Sequence, residues 1–240
     1  MVDNQFIQSH LADYGIQLTA KQWQQLSLYY QLLIEWNKRM NLTGITDFKE
    51  VYVKHFYDSM TPSFFYPFES ISKLADVGAG AGFPSLPLKI LFPHLKVTII
   101  DSLNKRIQFL HYLSRELKLD HIELIHGRAE ELGQNKKYRE KFDAVMARAV
   151  AKMQVLSELC LPLTSVDGQF IAMKGNDIKS EMMEALHAIR ILGGTVTREE
   201  IFELPYDMGK RSIIYIRKIK KTPDKYPRKP GIPSKQPIVK

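Results

Sequence analysis

The stretch DVGAGAGF, from Asp76 to Phe83, decides the fold of this 240-residue chain. It follows a short apolar run and precedes a segment that begins a helix near position 84, so it lies where a buried strand turns into a helix. Its glycines are spaced G-x-G-x-G, and glycine lets the backbone turn sharply and approach a ligand without an intervening Cβ. The turn that holds a dinucleotide pyrophosphate, G-x-G-x-x-G, needs a glycine where this chain has Phe83. The spacing therefore disfavours NAD and FAD.

Short apolar runs on both sides of this turn alternate with helical segments. The runs lie at positions 74–77, 97–101, 122–126, 142–147, 168–173, 195–204 and 212–218. Strand–helix alternation predicts a mostly parallel sheet covered on both faces. The last two runs lack a full helix between them, which predicts an antiparallel pair at one end. The pattern predicts an α/β fold with a doubly wound, seven-stranded, Rossmann-like sheet of the kind found in methyltransferases.

The regions before and after the sheet differ from it in pattern. Positions 1–70 predict an N-terminal helical cap, because Thr19 and Gln22 form a capping-box pattern and apolar residues then recur at helical spacing. Asp47 and Glu50 suggest a second helix start, with that helix ending near position 60. The sheet domain is assigned to positions 71–218. Positions 219–240, with five prolines, are typical of a linker-like tail.

The positive charge of the chain is concentrated in its tail. The chain has 34 Lys or Arg and 26 Asp or Glu, a net charge of +8. Positions 217–240 contain nine of the basic residues and one acid, so the rest of the chain is neutral. A basic tail attracts polyanions, because each phosphate contact releases condensed counterions. A solvated tail that only aids solubility explains the charge equally well.

Three further segments supply candidate partners for the glycine turn. Asp101 ends the second strand, where its carboxylate can accept both ribose hydroxyls or instead cap the following helix. Ala129 and Glu130, in GRAEEL after the third strand, can frame an adenine edge. Arg148 ends the fourth strand over the same edge of the sheet, although a surface ion pair would also explain it. Together with the glycine turn, these segments predict an S-adenosylmethionine site.

The fourth strand and the cysteine content narrow the methyl acceptor. Methylation of exocyclic amines commonly uses a D/N-P-P-Y/F turn, where this chain has ARAV. Carbon methylation of pyrimidines needs a cysteine nucleophile, but Cys160 lies in an apolar helical pattern typical of core packing. The N7 atom of guanine attacks through its own lone pair, so alignment and electrostatics suffice without a general base. Guanine N7 is therefore an attractive acceptor.

Several other classes of protein are disfavoured. The first residues show no signal peptide, and no apolar stretch is long enough to span a bilayer. A single cysteine cannot form an internal disulfide or a cysteine-rich zinc site, so we expect a reducing cytoplasm and no metal.

These motifs resemble one family over nearly the whole chain, the ribosomal RNA small subunit methyltransferase G family, also called glucose-inhibited division protein B. The resemblance is carried by these motifs: NLTGIT, KHFYDS, DVGAGAGFPSLPLKI, DSLNKRIQFL, GRAE, FDAVMARAVA, the pair Lys174–Gly175 and YPRKPGIPSKQPI. It implies S-adenosylmethionine-dependent methylation at N7 of a guanine, number 527, in the 530 loop of bacterial 16S rRNA. The implied partner is 16S rRNA or the small ribosomal subunit, and we expect a monomer.

The resemblance also implies roles for individual residues. Cofactor contacts fall on Gly78, Phe83, Ala129, Glu130 and Arg148, to which the turn geometry and the second strand add Gly80 and Asp101. Active-site roles fall on His55, Asp58 and Arg148, and RNA contacts on Asn41, Lys105, Arg106, Lys174, Arg228 and Lys229. Two positions depart from the usual pattern: Lys54 stands where Arg is common, and Ser85 where Gly is frequent.

Alternatives remain open from the residues alone. His55, flanked by aromatic residues, can equally be a packed, hydrogen-bonded histidine, and Asp58 could fix its tautomer. Lys105 and Arg106 can be ordinary solvated charges, although their position near a positive helix start suggests an anionic partner. The acceptor could also be tRNA, a protein or a small molecule. A catalytically silent RNA-binding assembly factor is the third hypothesis, which the intact glycine turn and Asp101 oppose.

Overall fold

A seven-stranded sheet forms the centre of the molecule. The computed structural model describes residues 5–148, 151–175 and 178–239. Its strands are β1 Lys73–Val77, β2 Lys96–Asp101, β3 Ile122–His126, β4 Phe142–Arg148, β5 Thr164–Lys174, β6 Gly194–Glu203 and β7 Lys210–Lys218. Each of the seven predicted runs is a strand in the structure.

The strand order is β3-β2-β1-β4-β5-β7-β6. The strands β1 to β5 pair in parallel, whereas β7 runs antiparallel between β5 and β6. This confirms the predicted doubly wound sheet and the reversed pair at its end. The chain order changes direction between β1 and β4, and parallel sheets bind ligands at the carboxyl ends of the strands beside such a point.

Helices cover both faces of the sheet and form the N-terminal region. They are α1 Gln5–Ala12, α2 Ala20–Met40, α3 Phe48–Val51, α4 Asp58–Met60, α5 Ser85–Leu91, α6 Asn104–Glu116, α7 Ala129–Gln134, α8 Met153–Cys160, α9 Lys179–Ile191 and α10 Ile232–Lys235. A π-helical segment, Tyr52–Tyr57, joins α3 to α4. Within the described residues no helix is long and apolar enough to cross a membrane.

The long helix α2 connects the helical region to the glycine turn. Thr19 and Gln22 form the predicted capping box at its start. Its apolar face buries Leu26, Leu33 and Tyr29, and the Tyr29 hydroxyl donates a hydrogen bond to the carbonyl of Ala81. Burial of this face therefore fixes α2 against the turn that precedes α5.

The second helix of the N-terminal region departs from a regular α-helix. Asp47 caps its start by accepting a hydrogen bond from the backbone N–H of Glu50, as predicted. The predicted run to Met60 is continuous, but its middle is the π-helical segment. Such segments occur often at functional sites, and this one includes His55 and ends beside Asp58.

The C-terminal tail is folded onto the domain, so its linker-like interpretation was wrong. Tyr226 and Ile238 are only 9% and 7% exposed and belong to the core beneath α8 and α9. Thr222 is buried as well, and its hydroxyl donates to the carbonyl of Leu192. The proline-rich composition does not predict that the tail packs on the domain, because its buried apolar residues are isolated and follow no helical or strand period.

Candidate active site

A cavity of about 520 Å³ lies at the carboxyl ends of β1, β2 and β4. The glycine turn, the ends of these strands, the start of α7 and part of α8 line it together with His55 and Thr43 from the N-terminal region. Of the predicted cofactor contacts, all seven line this cavity: Gly78, Gly80, Phe83, Asp101, Ala129, Glu130 and Arg148. The sheet thus brings together residues that are far apart in the sequence.

The glycine turn has the backbone geometry that its sequence predicts. Gly78, Gly80 and Gly82 have φ values of 76°, 60° and 101°, a region that disfavours other residues. A Cβ on Gly82 would lie 2.6 Å from the Tyr29 hydroxyl oxygen, so that position has no room for a side chain. A Cβ on Gly80 would meet no protein atom within 4 Å. The turn is therefore packed on its inner side and leaves space at Gly80 for a ligand.

Asp76, in β1, stabilises the turn by connecting this strand to the start of α5. Its carboxylate is fully buried and accepts a hydrogen bond of 3.0 Å from the backbone N–H of Ser85, the first residue of α5. Burial raises the pKa of Asp76 to about 7, and the Ser85 hydrogen bonds oppose that rise. Ser85, which departs from the usual glycine, thus still begins the helix in the expected place.

Asp101 both orders the turn and faces the cavity. One carboxylate oxygen accepts from the N–H of Gly80 at 3.1 Å, and the other accepts from the N–H of Leu103 at 2.9 Å. Arg106 forms an ion pair with it at 3.3 Å. The side chain is therefore held rigidly at the wall of the cavity, and it also shapes the start of α6.

Arg148 is the most highly connected side chain of the site. Its guanidinium donates to Asp58 Oδ2 at 3.1 Å and to the carbonyl of Lys54 at 3.3 Å, and its carbon Cζ lies 5.0 Å from the centre of the Phe83 ring. Its side chain is only 14% exposed. The surface ion-pair alternative for Arg148 is therefore wrong, because the pair with Asp58 is almost completely buried.

His55 packs between an aromatic ring and polar partners. Its imidazole stacks on Phe83 with ring centroids 4.5 Å apart. Nε2 lies 2.8 Å from Thr43 Oγ1, and Nδ1 lies 3.4 Å from Arg148 Nη2. A guanidinium can only donate, so Nδ1 is the acceptor and the proton is on Nε2. Burial, followed by the charge of Arg148, lowers the pKa of His55 to about 3, which keeps the ring neutral.

Asp58 interacts with two arginines and not with His55. Besides Arg148, it forms an ion pair of 3.2 Å with Arg211, from the start of β7. The suggested role of Asp58 in fixing the His55 tautomer is therefore not seen, since Thr43 and Arg148 contact the two ring nitrogens. Asp58 instead connects the helical region to both β4 and β7.

The predicted RNA contacts occupy different environments. Asn41 ends α2 in a left-handed conformation, and Lys105 Nζ lies 3.4 Å from the carbonyl of the adjacent Met40. Lys174 is ion-paired with Glu181, and Arg228 with Glu158. Arg106 pairs with Asp101, as described, whereas Lys229 is exposed.

Four residues of the site were not predicted from the sequence: Thr43, Tyr29, Arg211 and Ser234. Thr43 lies in the NLTGIT motif and lines the cavity, but Asn41 was the only residue of that motif for which a role was predicted. Tyr29 is buried on α2 beside Tyr30, and helical spacing alone does not separate these two neighbouring tyrosines. Ser234 lies in the motif YPRKPGIPSKQPI, of which only Arg228 and Lys229 were given a role. Arg211 had no sequence signal, because its partner Asp58 is distant in the chain.

The geometry fits a nucleoside-linked methyl donor. Asp101 supplies a carboxylate at the end of β2, Gly80 leaves open space, and Ala129 and Glu130 form the next wall. With the reversed strand β7, these features define an S-adenosylmethionine-dependent methyltransferase with a doubly wound sheet.

Comparison with known proteins identifies the family. The model of the rRNA small subunit methyltransferase G family matches residues 22–205, and the chain belongs to this family. Ribosomal RNA small subunit methyltransferase G of Staphylococcus aureus (strain Newman) is 55% identical over 98% of both chains. The protein of that name from Brevibacillus brevis is 54% identical over 95% of this chain and 96% of its own. These matches confirm the enzyme predicted from sequence, an S-adenosylmethionine-dependent rRNA methyltransferase.

A solved structure shows the same fold at low sequence identity. TrmN from Thermus thermophilus superposes with a TM-score of 0.51 and 16% identity over 68% of this chain and 48% of its own. The likeness supports the architecture of the sheet.

Proposed function

We propose that this enzyme transfers a methyl group from S-adenosylmethionine to N7 of one guanine, number 527 in the 530 loop of 16S rRNA, in the small ribosomal subunit. It acts as a monomer in the cytoplasm. The observation that carries the proposal is the position of Arg148 at the end of β4, locked to Asp58 and lying over Phe83. The Arg148 guanidinium can donate hydrogen bonds to an acceptor base but cannot take a proton from it, which suits N7 of guanine better than an amine that must lose a proton.

The side chains that could act as a base or nucleophile in this proposal, His55, Asp58 and Cys160, are poorly suited to either role. The pKa of His55 is lowered to about 3, and Asp58 is paired with two arginines. Cys160 is buried, and burial raises the pKa of its thiol well above the usual value, so it is a poor nucleophile. Alkylation of guanine at N7 requires neither a base nor a protein nucleophile. The acceptor atom and the site are therefore chemically matched.

Each part of the site has a separate task in this proposal. Asp101 and Glu130 hold the nucleoside part of the donor, and the open face at Gly80 accommodates it. S-adenosylmethionine supplies an electrophilic methyl group bonded to a sulfonium. Phe83 stacks with both Tyr29 and His55, which restrict its motion, so it forms a fixed wall of the cavity against which the reactants are aligned.

RNA binding is proposed for the side of the molecule around the cavity mouth. Lys105 and Lys229 are exposed, and their ammonium groups can contact phosphates directly. Asn41 lies beside Lys105, and Arg106 lines the cavity. Lys174 and Arg228 already have carboxylate partners, so their RNA contacts would compete with Glu181 and Glu158.

Label transfer from radioactive S-adenosylmethionine tests this function. Small ribosomal subunits lacking the modification, naked 16S rRNA and tRNA serve as acceptors in parallel. We expect label in the 16S rRNA of the first or second sample and none in tRNA. Label in tRNA alone would support another RNA substrate, and no label in any RNA would support a silent assembly factor. A 16S rRNA with 7-deazaguanine at position 527 is the matched control, because it lacks only the acceptor nitrogen.

A further inference from the structure

The C-terminal segment, residues 219–239, reaches the wall of the cofactor cavity. It lies outside residues 22–205, which the family model matches. Ser234, from this segment, nevertheless lines the cavity together with Ala129 and Glu130 of α7 and with Val155 and Leu159 of α8. The segment thus forms part of the surface that a bound donor would face.

Side chains of the domain hold the first half of the segment through hydrogen bonds to its main-chain carbonyls. Arg139 donates to the carbonyls of Tyr226 and Thr222 at 2.7 and 2.8 Å. Gln134, the last residue of α7, donates to the carbonyl of Pro227 at 2.8 Å. A Cβ on Gly133 would lie 2.7 Å from the Pro227 ring, so the chain passes directly against α7.

Arg228 connects the segment to α8 through a buried carboxylate. Glu158 is 1% exposed, and it accepts from Arg228 Nε at 2.9 Å, from Nη2 at 2.6 Å and from the backbone N–H at 2.8 Å. Such a two-pronged pair is among the stronger side-chain contacts. Loss of the cation would leave a buried carboxylate uncompensated, so α8 and the segment hold their positions together.

Glu130 connects the segment to α7 at the cavity itself. Its Oε1 accepts a hydrogen bond of 2.9 Å from the N–H of Gly231. Glu130, which is predicted to frame the adenine edge, is therefore oriented by the C-terminal segment. Because Arg228 and Gly231 are three residues apart, one short stretch joins two helices that line the cavity.

We propose that the C-terminal segment is a structural part of the cofactor site, and that its docking and the binding of S-adenosylmethionine strengthen each other. The inference rests on the proposed cofactor cavity. A donor that contacts Glu130 and Ser234 binds better when the segment is docked, and by thermodynamic reciprocity it then holds the segment in place. Arg228 acts here as a positioning residue, since it contacts Glu158 and not the cavity.

Calorimetric titration with S-adenosylhomocysteine tests this coupling on the full chain. We expect Arg228→Ala to raise the dissociation constant at least about fivefold, the lower range of typical couplings. Lys221→Ala is the matched control, because it removes an exposed charge from the same segment and should leave the constant unchanged. Circular dichroism shows whether each variant is folded.

Hydrogen exchange of the unmodified chain gives a second test that needs no variant. Saturating S-adenosylhomocysteine should slow amide exchange at Arg228 and Gly231, whose N–H groups donate to Glu158 and Glu130. A wild-type chain that does not bind the ligand would overturn the cofactor site itself. Binding with unchanged exchange in the segment, or a folded Arg228→Ala variant with wild-type affinity, would overturn only the coupling.

Discussion

Arg148 donates a hydrogen bond of 3.1 Å from Nη1 to Asp58 Oδ2, which joins the carboxyl end of β4 to the end of the π-helical segment. The side chains are 14% and 4% exposed, so water screens this pair weakly. Arg211 approaches the other oxygen of the same carboxylate. The helical region, the central sheet and the reversed strand therefore meet at one buried anion.

Replacing Asp58 with Asn should damage both stability and activity. The substitution leaves Arg148 and Arg211 without their anion, and removal of one partner from a buried pair costs about 3–5 kcal/mol of unfolding free energy. Urea denaturation measures this loss, and rRNA methylation well below the melting temperature should fall at least about tenfold. Glu35→Gln is the matched control, because the exposed pair of Glu35 with Arg39 contributes about 0–1 kcal/mol. Wild-type methylation by folded Asp58→Asn would contradict the role of this carboxylate.

His55 should make stability depend on acid pH. Its pKa is about 3 in the folded chain and about 6.5 when unfolded, so unfolding takes up a proton between these values. The stability associated with the neutral ring is present above pH about 6.5 and is lost as the pH falls toward about 3. The slope from this one group is at most about 1.4 kcal/mol per pH unit.

Comparison of His55→Gln with the wild type isolates that slope. Denaturant titrations from pH about 4 to about 6.5 should show a flatter pH dependence for the variant. Asp76 contributes in the opposite direction, because its pKa is raised to about 7, but it is present in both proteins and cancels in the difference. Equal slopes for the two proteins would show that His55 is protonated normally in the fold.

Gly80→Ala should weaken ligand binding while the fold persists. The added methyl group meets no protein atom within 4 Å, so it projects into the space proposed for the donor. The left-handed backbone adds strain of about 1–2 kcal/mol. Affinity for S-adenosylhomocysteine, measured by calorimetry, should fall at least about tenfold. Gly15→Ala has the same kind of positive φ and open space away from the cavity, so it should reproduce the strain without the loss of affinity.

Removal of Lys105 or Lys229 should weaken the salt dependence of RNA binding. Each lost phosphate contact lowers the slope of log affinity against log salt by about 0.7–0.9. Filter binding to 16S rRNA over a series of salt concentrations measures the slope. Lys96→Ala is a suitable control, because this exposed residue begins β2 at the opposite edge of the sheet. An unchanged slope for both variants would place the RNA on another surface.

The sequence was sufficient to predict the sheet because strand runs and glycine turns are local patterns. The seven runs, the G-x-G-x-G turn and the cap at Thr19 follow from neighbouring residues and backbone preferences. Cavity-lining residues at strand ends, such as Asp101 and Arg148, could also be predicted, because parallel strands place their carboxyl ends together.

The remaining features depend on contacts between distant segments. The pairing of Asp58 with Arg211 joins the N-terminal region to β7, and no local pattern specifies it. In the sequence, Glu158 is an acidic residue within a mostly apolar helix, and only the structure shows that it pairs with Arg228. The same applies to the tail, whose composition indicates a linker although Tyr226 is buried.

The most direct test of the proposed chemistry is mass mapping of the methylated nucleotide. Small ribosomal subunits lacking the modification are incubated with the enzyme and S-adenosylmethionine, and the 16S rRNA is digested and sequenced by mass spectrometry. The proposal predicts one added methyl group, on N7 of guanine 527. A methyl group on another atom or nucleotide, or an unmodified rRNA, would contradict it.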